Sequence, residues 1–421
     1  VKGKSFRRDD FLVSAACFVV YTLRARERRI VRTSAEHPDC CPPFENSMLK
    51  HIPFERVRWT NTAFLATINL TALVAVPIYI WKNGIDAFQI GLFLFYFIAT
   101  GMSITLGYHR LFAHLSFKAK WPVKLATLIF GACAFENSAI NWVSDHRRHH
   151  KHVDHDDDPY DITKGFFWAH IGWILFKLRP EPPVENVNDL WKDKLVVWQH
   201  KYCIPIAIVF GLALPAALGY WYGGPTAALG AFLIAGVARV FSVQHCTFFI
   251  NSLCHTIGRQ PYSTKCSARD SAIMAFFTFG EGYHNFHHEF QHDYRNGIKA
   301  FSFDPTKWSI WLLAKLGLAS DLRRVPAEKI LLAEMTEARK QAEARLSAPP
   351  SAWEEAGQHA REMVDQLSSR VTEAYHELEL AFAEKVEVSR QRMEEWRKET
   401  RELAGLLARL DRSISQQSPA S

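Results

Sequence analysis

Apolar residues along this chain gather into long uncharged runs. Thr62 to Trp81, Phe88 to Tyr108, Tyr202 to Trp221 and Thr226 to Ile250 each approach the ~20 residues that a helix needs to cross a bilayer. Short polar links, "KNGIDA" at 82–87 and "YGGP" at 222–225, join them pairwise, which predicts two helical hairpins. Arg239 interrupts the fourth run and must face the protein interior to be tolerated there. Two further apolar stretches, "LATLIFGACAFENSAINW" and "AIMAFFTFGEG", are broken or too short to cross and are expected as helices on one membrane face. The fold class that follows is all-α: an integral membrane protein with four transmembrane helices and a helical cap.

After Pro326 the pattern changes to charged helical segments broken at "SAPPS". From Ala352 to about Leu410 one helix is expected, with apolar positions at Val364, Leu367, Val371, Tyr375, Leu378, Phe382, Val386, Met393, Trp396, Leu403, Leu407 and Leu410. Their local period, nearer eleven than seven, allows only a slight or right-handed coiled coil. The stripe is free to mediate self-association or to lie against the body or the membrane. The chain therefore divides into a basic extension (1–47), a membrane domain (48–325) and an amphipathic helical extension (326–421). Within the first, "FLVSAACFVVY" is too short to span, and "RARERR" stands where a cleavage site would be. Because the first methionine is Met48, residues 1–47 are expected to be dispensable.

Charge orients the hairpins. The links carry only Lys82, whereas the 120–200 segment and both tails are rich in Lys and Arg, which places both termini and the middle segment in the cytoplasm. The net charge of +7 suits that side, and no nucleic-acid-binding motif accompanies it. The eight cysteines include no C-x-x-C pair, so reduced thiols are expected instead of a disulfide framework or a zinc ribbon; Cys40 and Cys41 acquire no role.

The histidines carry the chemistry. "HRRHH" and "GYHNFHH" place His146, His149, His150 and His284, His287, His288 at i, i+3, i+4, on one helix face each. "YHRLFAH" sets His109 and His114 at the end of the second run, but five residues lie ~140° apart on an α-helix, so a shared site requires the helix to end or bend there. "INSLCH" puts Asn251 and His255 one turn apart after the fourth run. All nine imidazoles fall on one membrane face. Nine ligands exceed what one metal accepts, so a dinuclear centre is expected, with Asn251 completing the thinner shell directly or through water.

The strings HRLFAH, DHRRHH, NSLCH and EGYHNFHH, with "DDDPYD", "GFFWAHIGW", "DYRNGIK" and "FDPTKW", resemble the membrane fatty-acid desaturases, specifically the acyl-CoA delta-9 (stearoyl-CoA) type, over roughly 48–325. The resemblance implies two iron ions held by His109, His114, His146, His149, His150, His255, His284, His287 and His288, with Asn251 contacting one iron through water. It also implies O2 as co-substrate and a cis double bond as product. Zinc, lacking accessible redox states, could not oxidise a methylene. The substrate would be a fatty acyl-CoA or another acyl thioester or lipid; Ser144 replaces the basic residue of the animal enzymes, which leaves the carrier open. No nucleotide or cysteine-cluster motif is present, so a separate electron donor is implied, a ferredoxin, rubredoxin or cytochrome b5 with its reductase. A related di-iron hydroxylase or ketolase is the enzymatic alternative. A histidine-rich metal transporter is the other, but it should carry ligands at mid-span.

Other polar residues receive plainer readings. Asp154, Asp156, Asp157 and Asp158 are expected as a solvated acidic run, and His152 and His155 as loop residues beside it. Glu281 is placed to orient a ligand imidazole, and His170 and His245 to pack or support. Trp142, Phe248 and Phe249 are expected in the core, close to an apolar substrate tunnel.

Overall fold

The computed structural model describes residues 54–177, 184–349, 353 and 357–417. The expected extension over 1–47 lies outside the described residues, as do Cys40, Cys41 and Met48. Helices α1 (Trp59–Asn83) and α2 (Ala87–Ala113) form the first hairpin. Its turn needs Gly84, at φ 75°, and Asp86 then caps α2 reciprocally with Gln89, whose backbone N–H donates to the Asp86 carboxylate at 2.8 Å. Two shorter helices follow, α3 (Trp121–Cys133) and α4 (Ala139–His152). A single helix was expected across both. Phe135 and Asn137 adopt positive φ (57° and 81°) and break it, and Ser138 caps the new start by accepting from Asn141 N.

A third long apolar helical run covers Lys194–His255. It is not straight: Gly223 and Gly224 leave helical geometry, the latter at φ 74°, and split the run into α5 (194–222) and α6 (225–255). The legs fold back on each other so closely that a Cβ on Gly219 would lie 2.5 Å from the Ala227 carbonyl oxygen. Fully buried Arg239 is satisfied between these legs and α3, donating to the carbonyls of Ala235, Gly211 and Cys133. That is how a guanidinium is tolerated in an apolar helix: every polar direction ends on a backbone acceptor. Leu128, Ile140, Val143 and Val196 are among the buried residues of the main core. A two-residue antiparallel pairing, Lys118–Ala119 with Ala319–Ser320, ties the chain after α2 to the region before the C-terminal helices.

After the short helix α7 (His284–Glu289), the chain ends in α8 (Ala327–Leu346), α9 (Gly357–Ala383) and α10 (Arg390–Gln417). This corrects the expectation of one helix from 352 to 410. The chain reverses at 384–389, with Lys385 at φ 58°, and the ion pairs Arg370–Glu399 and Arg392–Glu377 show that α9 and α10 run antiparallel. The reversal lets the apolar stripe cover itself: Val364, Val371, Leu378, Met393, Trp396 and Leu403 pack with Leu331 and Met335 of α8 in one core. Phe382 and Val386, at the reversal, stay exposed.

Candidate metal centre

Four elements deliver the histidines. Along the last eleven residues of α2, Ser103–Ala113, the helix widens to π geometry, closing with bonds from residue i to i+5, and His114 N donates to His109 O at 3.1 Å. In such wide turns residues five apart lie one above the other, and the rings of His109 and His114 come to 4.7 Å between centroids. The expected ending is present, since the helix stops at Ala113 with His114 as its cap, and the turns before it are also widened. On α4, His146, His149 and His150 project from the last turns, α7 is little more than a carrier for His284, His287 and His288, and His255 closes the end of α6.

The nine imidazoles come together in two sets. His109, His114, His146, His150 and His287 each offer a ring nitrogen within 4.8 Å of the others, and so do His149, His255, His284 and His288. Nε2 atoms face one another, 2.8 Å apart for His114 and His146, 3.0 Å for His109 and His287 and 3.1 Å for His255 and His284. The sets adjoin, with His150 stacked on His288 at 4.3 Å between ring centroids. Asn251 lines the adjoining cavity, as His284 of the four-histidine set does.

What stands behind the rings decides their protonation. Behind His149, Nδ1 donates to Asp158 at 2.9 Å, and behind His109, Nδ1 lies 2.9 Å from Glu281 Oε2. His255 Nδ1 donates to Ser267 Oγ at 2.7 Å, because the Ser267 hydroxyl itself donates to Asp154. An imidazole whose Nδ1 carries the proton presents a lone pair at Nε2. Burial first, and neighbouring imidazoles second, drive His114, His146, His150, His287 and His288 well below the ordinary value of 6.5, and His284 to about 3. Imidazole nitrogens that converge lone pair to lone pair repel one another unless a cation lies between them. The donor set therefore fits two metal ions, one of five and one of four imidazoles.

Two of these supports were missed in the sequence. Asp158 is 1% exposed and Asp154 is bound to Ser267, whereas Asp156 and Asp157 are exposed as expected. A run of four aspartates conceals which of them turn inward. Glu281 fulfils its expected orientation and more: it accepts from Arg110 Nε and Nη2 at 3.1 and 3.0 Å and from Asn296 at 2.6 Å. Burial alone would raise its pKa, but His109 and Arg110 outweigh that and bring it down to about 2. His170 and His245 bond to each other at 3.1 Å, outside both sets, and neither His152 nor His155 joins them.

A cavity of about 620 Å3 opens beside the histidines, with His109, His146 and His284 in its wall. Arg58, Ser144, Asp145 and Arg148 also line it, as do the apolar residues Phe64, Leu65, Ile104 and Val243. Trp142 and Phe248 line it too; Phe249 instead packs on the ring of His170. Glu136, between α3 and α4, faces this cavity and accepts from Thr247 Oγ1 at 2.8 Å; burial raises its carboxyl to about 8. Among the described residues the cysteines at 133, 203, 246, 254 and 266 are free thiols.

Residues 87–296 match the model of the family described as fatty acid desaturase. Acyl-CoA desaturase 1 of Saccharomyces cerevisiae is 40% identical over 265 residues, which cover 61% of this chain and 51% of the yeast protein, so the chain spans about half the length of that relative. The delta(9)-fatty-acid desaturase fat-7 of Caenorhabditis elegans is 34% identical, over 67% of this chain and 84% of the worm protein. The sn-1 stearoyl-lipid 9-desaturase of Anabaena variabilis is 36% identical, over 64% of this chain and 94% of the cyanobacterial protein.

Proposed function

This chain belongs to the fatty acid desaturase family, and from that premise we propose that it is an O2-dependent membrane fatty acyl desaturase that introduces a cis double bond, at the delta-9 position, into a saturated acyl chain. One observation carries the reading: two sets of mostly buried imidazoles converge on two points at the wall of a largely apolar cavity. In this reading the metals are iron. The five-histidine set holds one ion, and the four-histidine set holds the other with Asn251 reached through water. Such a pair, when bound and reduced, would activate O2, and O2 would supply the oxidising power that no side chain has for an unactivated methylene.

The chain's own residues do the rest. Asp158, Glu281 and the Asp154–Ser267 pair keep protons on the outer nitrogens of their histidines and so hold the inner nitrogens ready as ligands. The cavity wall orients the acyl chain and excludes water, so positioning replaces acid-base chemistry. Relatives' names include both CoA-linked and lipid-linked substrates. The Arg58 and Arg148 side chains at this cavity favour an anionic carrier such as CoA.

The two hairpins, α1–α2 and α5–α6, are read as four membrane spans, with both termini and the helical cap holding the metals in the cytoplasm. In this organisation 48–325 is the catalytic domain and 326–421 an accessory one. Electrons come from a separate donor. Self-association through the C-terminal helices is not part of the reading, because their stripe is covered within the chain.

The test is expression in a host lacking delta-9 unsaturates, with double bonds located by mass spectrometry. The expected result is a new delta-9 unsaturate that disappears with His287→Ala. A hydroxy or keto acid instead would transfer the site to the related oxygenases, and unchanged lipids would refute the reading.

A further inference from the structure

The C-terminal helices lie outside the segment that matches the family, 87–296, yet one buried carboxylate on α8 reaches toward the histidines. Glu337, 5% exposed, accepts from Thr264 N at 3.0 Å and from Thr264 Oγ1 at 3.1 Å, and Lys340 Nζ donates to the same hydroxyl at 2.6 Å. Thr264 belongs to the loop 262–268, whose other side meets the four-histidine set. Within that loop Ser267 accepts from His255 Nδ1 at 2.7 Å. Buried Asn285, the residue after His284, clasps the loop with both ends of its amide: it accepts from Tyr262 N and Ser263 N and donates to Ser263 O and Ala268 O. Two turns earlier on α8, Ile330 packs against Phe286 and Phe290, which fixes α8 against α7.

We propose that Glu337 is a positioning residue for the four-histidine half of the centre: through Thr264 it fixes loop 262–268, and the loop fixes His255 through Ser267 and His284 through Asn285. The five-histidine set is reached by this route only through His287, which shares α7 with His284. Its outer partner, Glu281, is tied instead to Arg110 and Asn296. The C-terminal extension is thus a template for one metal position. This rests on the two-iron reading given above.

The test uses the full-length protein purified in detergent and loaded with ferrous iron. Iron per chain is measured after graded chelator exposure, Mössbauer spectra resolve the two positions, and thermal unfolding is followed in parallel. Glu337→Ala is expected to lower chelator resistance about tenfold at the iron of the four-histidine set, with a smaller loss at the other, in line with the loss of a partner behind a ligand. Glu337→Gln should restore it, since the amide oxygen still accepts from Thr264 N, and Thr264→Ala should give a milder loss at the same iron. Ser267→Ala should weaken that same iron, and Glu337→Ala added to it should cost little more, because both act through one loop. Wild-type resistance in Glu337→Ala, equal loss of both irons, a general fall in thermal stability without selective loss, or additivity in the double variant would each overturn the assignment. A wild-type protein that binds no iron pair would instead refute the two-iron reading itself.

Discussion

Replacing Glu281 by Gln changes almost no volume and removes one buried charge. The carboxylate is 3% exposed and is surrounded by donors: His109 Nδ1 at 2.9 Å, Arg110 Nε and Nη2 at 3.1 and 3.0 Å, and Asn296 Nδ2 at 2.6 Å. An amide supplies one acceptor oxygen where two are needed, and its NH2 group must face either Arg110 or His109 donor to donor. Arg110, 1% exposed, would keep only Asp304 as an ionic partner and the Tyr294 carbonyl as an acceptor. Breaking a buried pair by removing one partner costs about 3–5 kcal/mol. A second route agrees: lowering a carboxyl from 4.5 to about 2 corresponds to about 3 kcal/mol at about 1.4 kcal/mol per pH unit. The sign follows from the depression. In metal-stripped protein this stabilisation is present above about 4.5 and lost as pH falls toward about 2, so wild type should show an acid-side loss that Glu281→Gln lacks. Metal affinity at the five-histidine set should fall about 10–100-fold, because His109 loses the partner that fixes its tautomer. Chelator competition and denaturant unfolding measure the two effects. A variant within about 0.5 kcal/mol of wild type, with unaltered chelator resistance, would refute the reasoning.

Asp158→Asn should weaken metal retention about 10–100-fold at the four-histidine set and leave the other unchanged, read by iron analysis of the partly stripped protein. Glu136 has its folded carboxyl raised to about 8, so its contribution to stability is complete below about 4.5 and is lost as pH rises toward about 8. Glu136→Gln should flatten that decline, seen in unfolding midpoints between pH 5 and pH 8 taken as roughly bracketing the window. Gly101→Ala would bring a Cβ to 2.3 Å from Phe279 Cε2, and forcing that ring aside should cost about 1–3 kcal/mol in denaturant unfolding.

The i, i+3, i+4 spacing made His146, His149, His150, His284, His287 and His288 readable as two ligand faces, because α-helical periodicity converts spacing directly into direction. The pair His109 and His114 resisted the same arithmetic, since nothing in "SITLGYHRLFA" announces that its helix will widen. Local composition also hid the reversal at 384–389, where "EKVEVS" contains neither Gly nor Pro, and the positive φ falls on Lys385. The driving force there is non-local: the stripe gains its cover only when α9, α10 and α8 meet. Asp158 and Asp154 were obscured for a similar reason. Asp158 is held by His149, nine positions earlier, but Asp154 is held by Ser267, more than a hundred positions away, and no window along the chain brings that pair together.

The widened turns of 103–113 also restrict how this segment can vary. Deleting one residue between Ser103 and His109 would preserve the hydropathy of the segment and its length within one residue, yet would rotate everything beyond the deletion by nearly a quarter of a turn about the helix axis. Both His109 and His114 would then turn away from the pocket they share with His146 and His150 of α4 and His287 of α7. Swapping this helix between homologues therefore demands residue-for-residue register through the stretch, and an alignment gap placed inside it would mark a chain that has abandoned this ligand geometry.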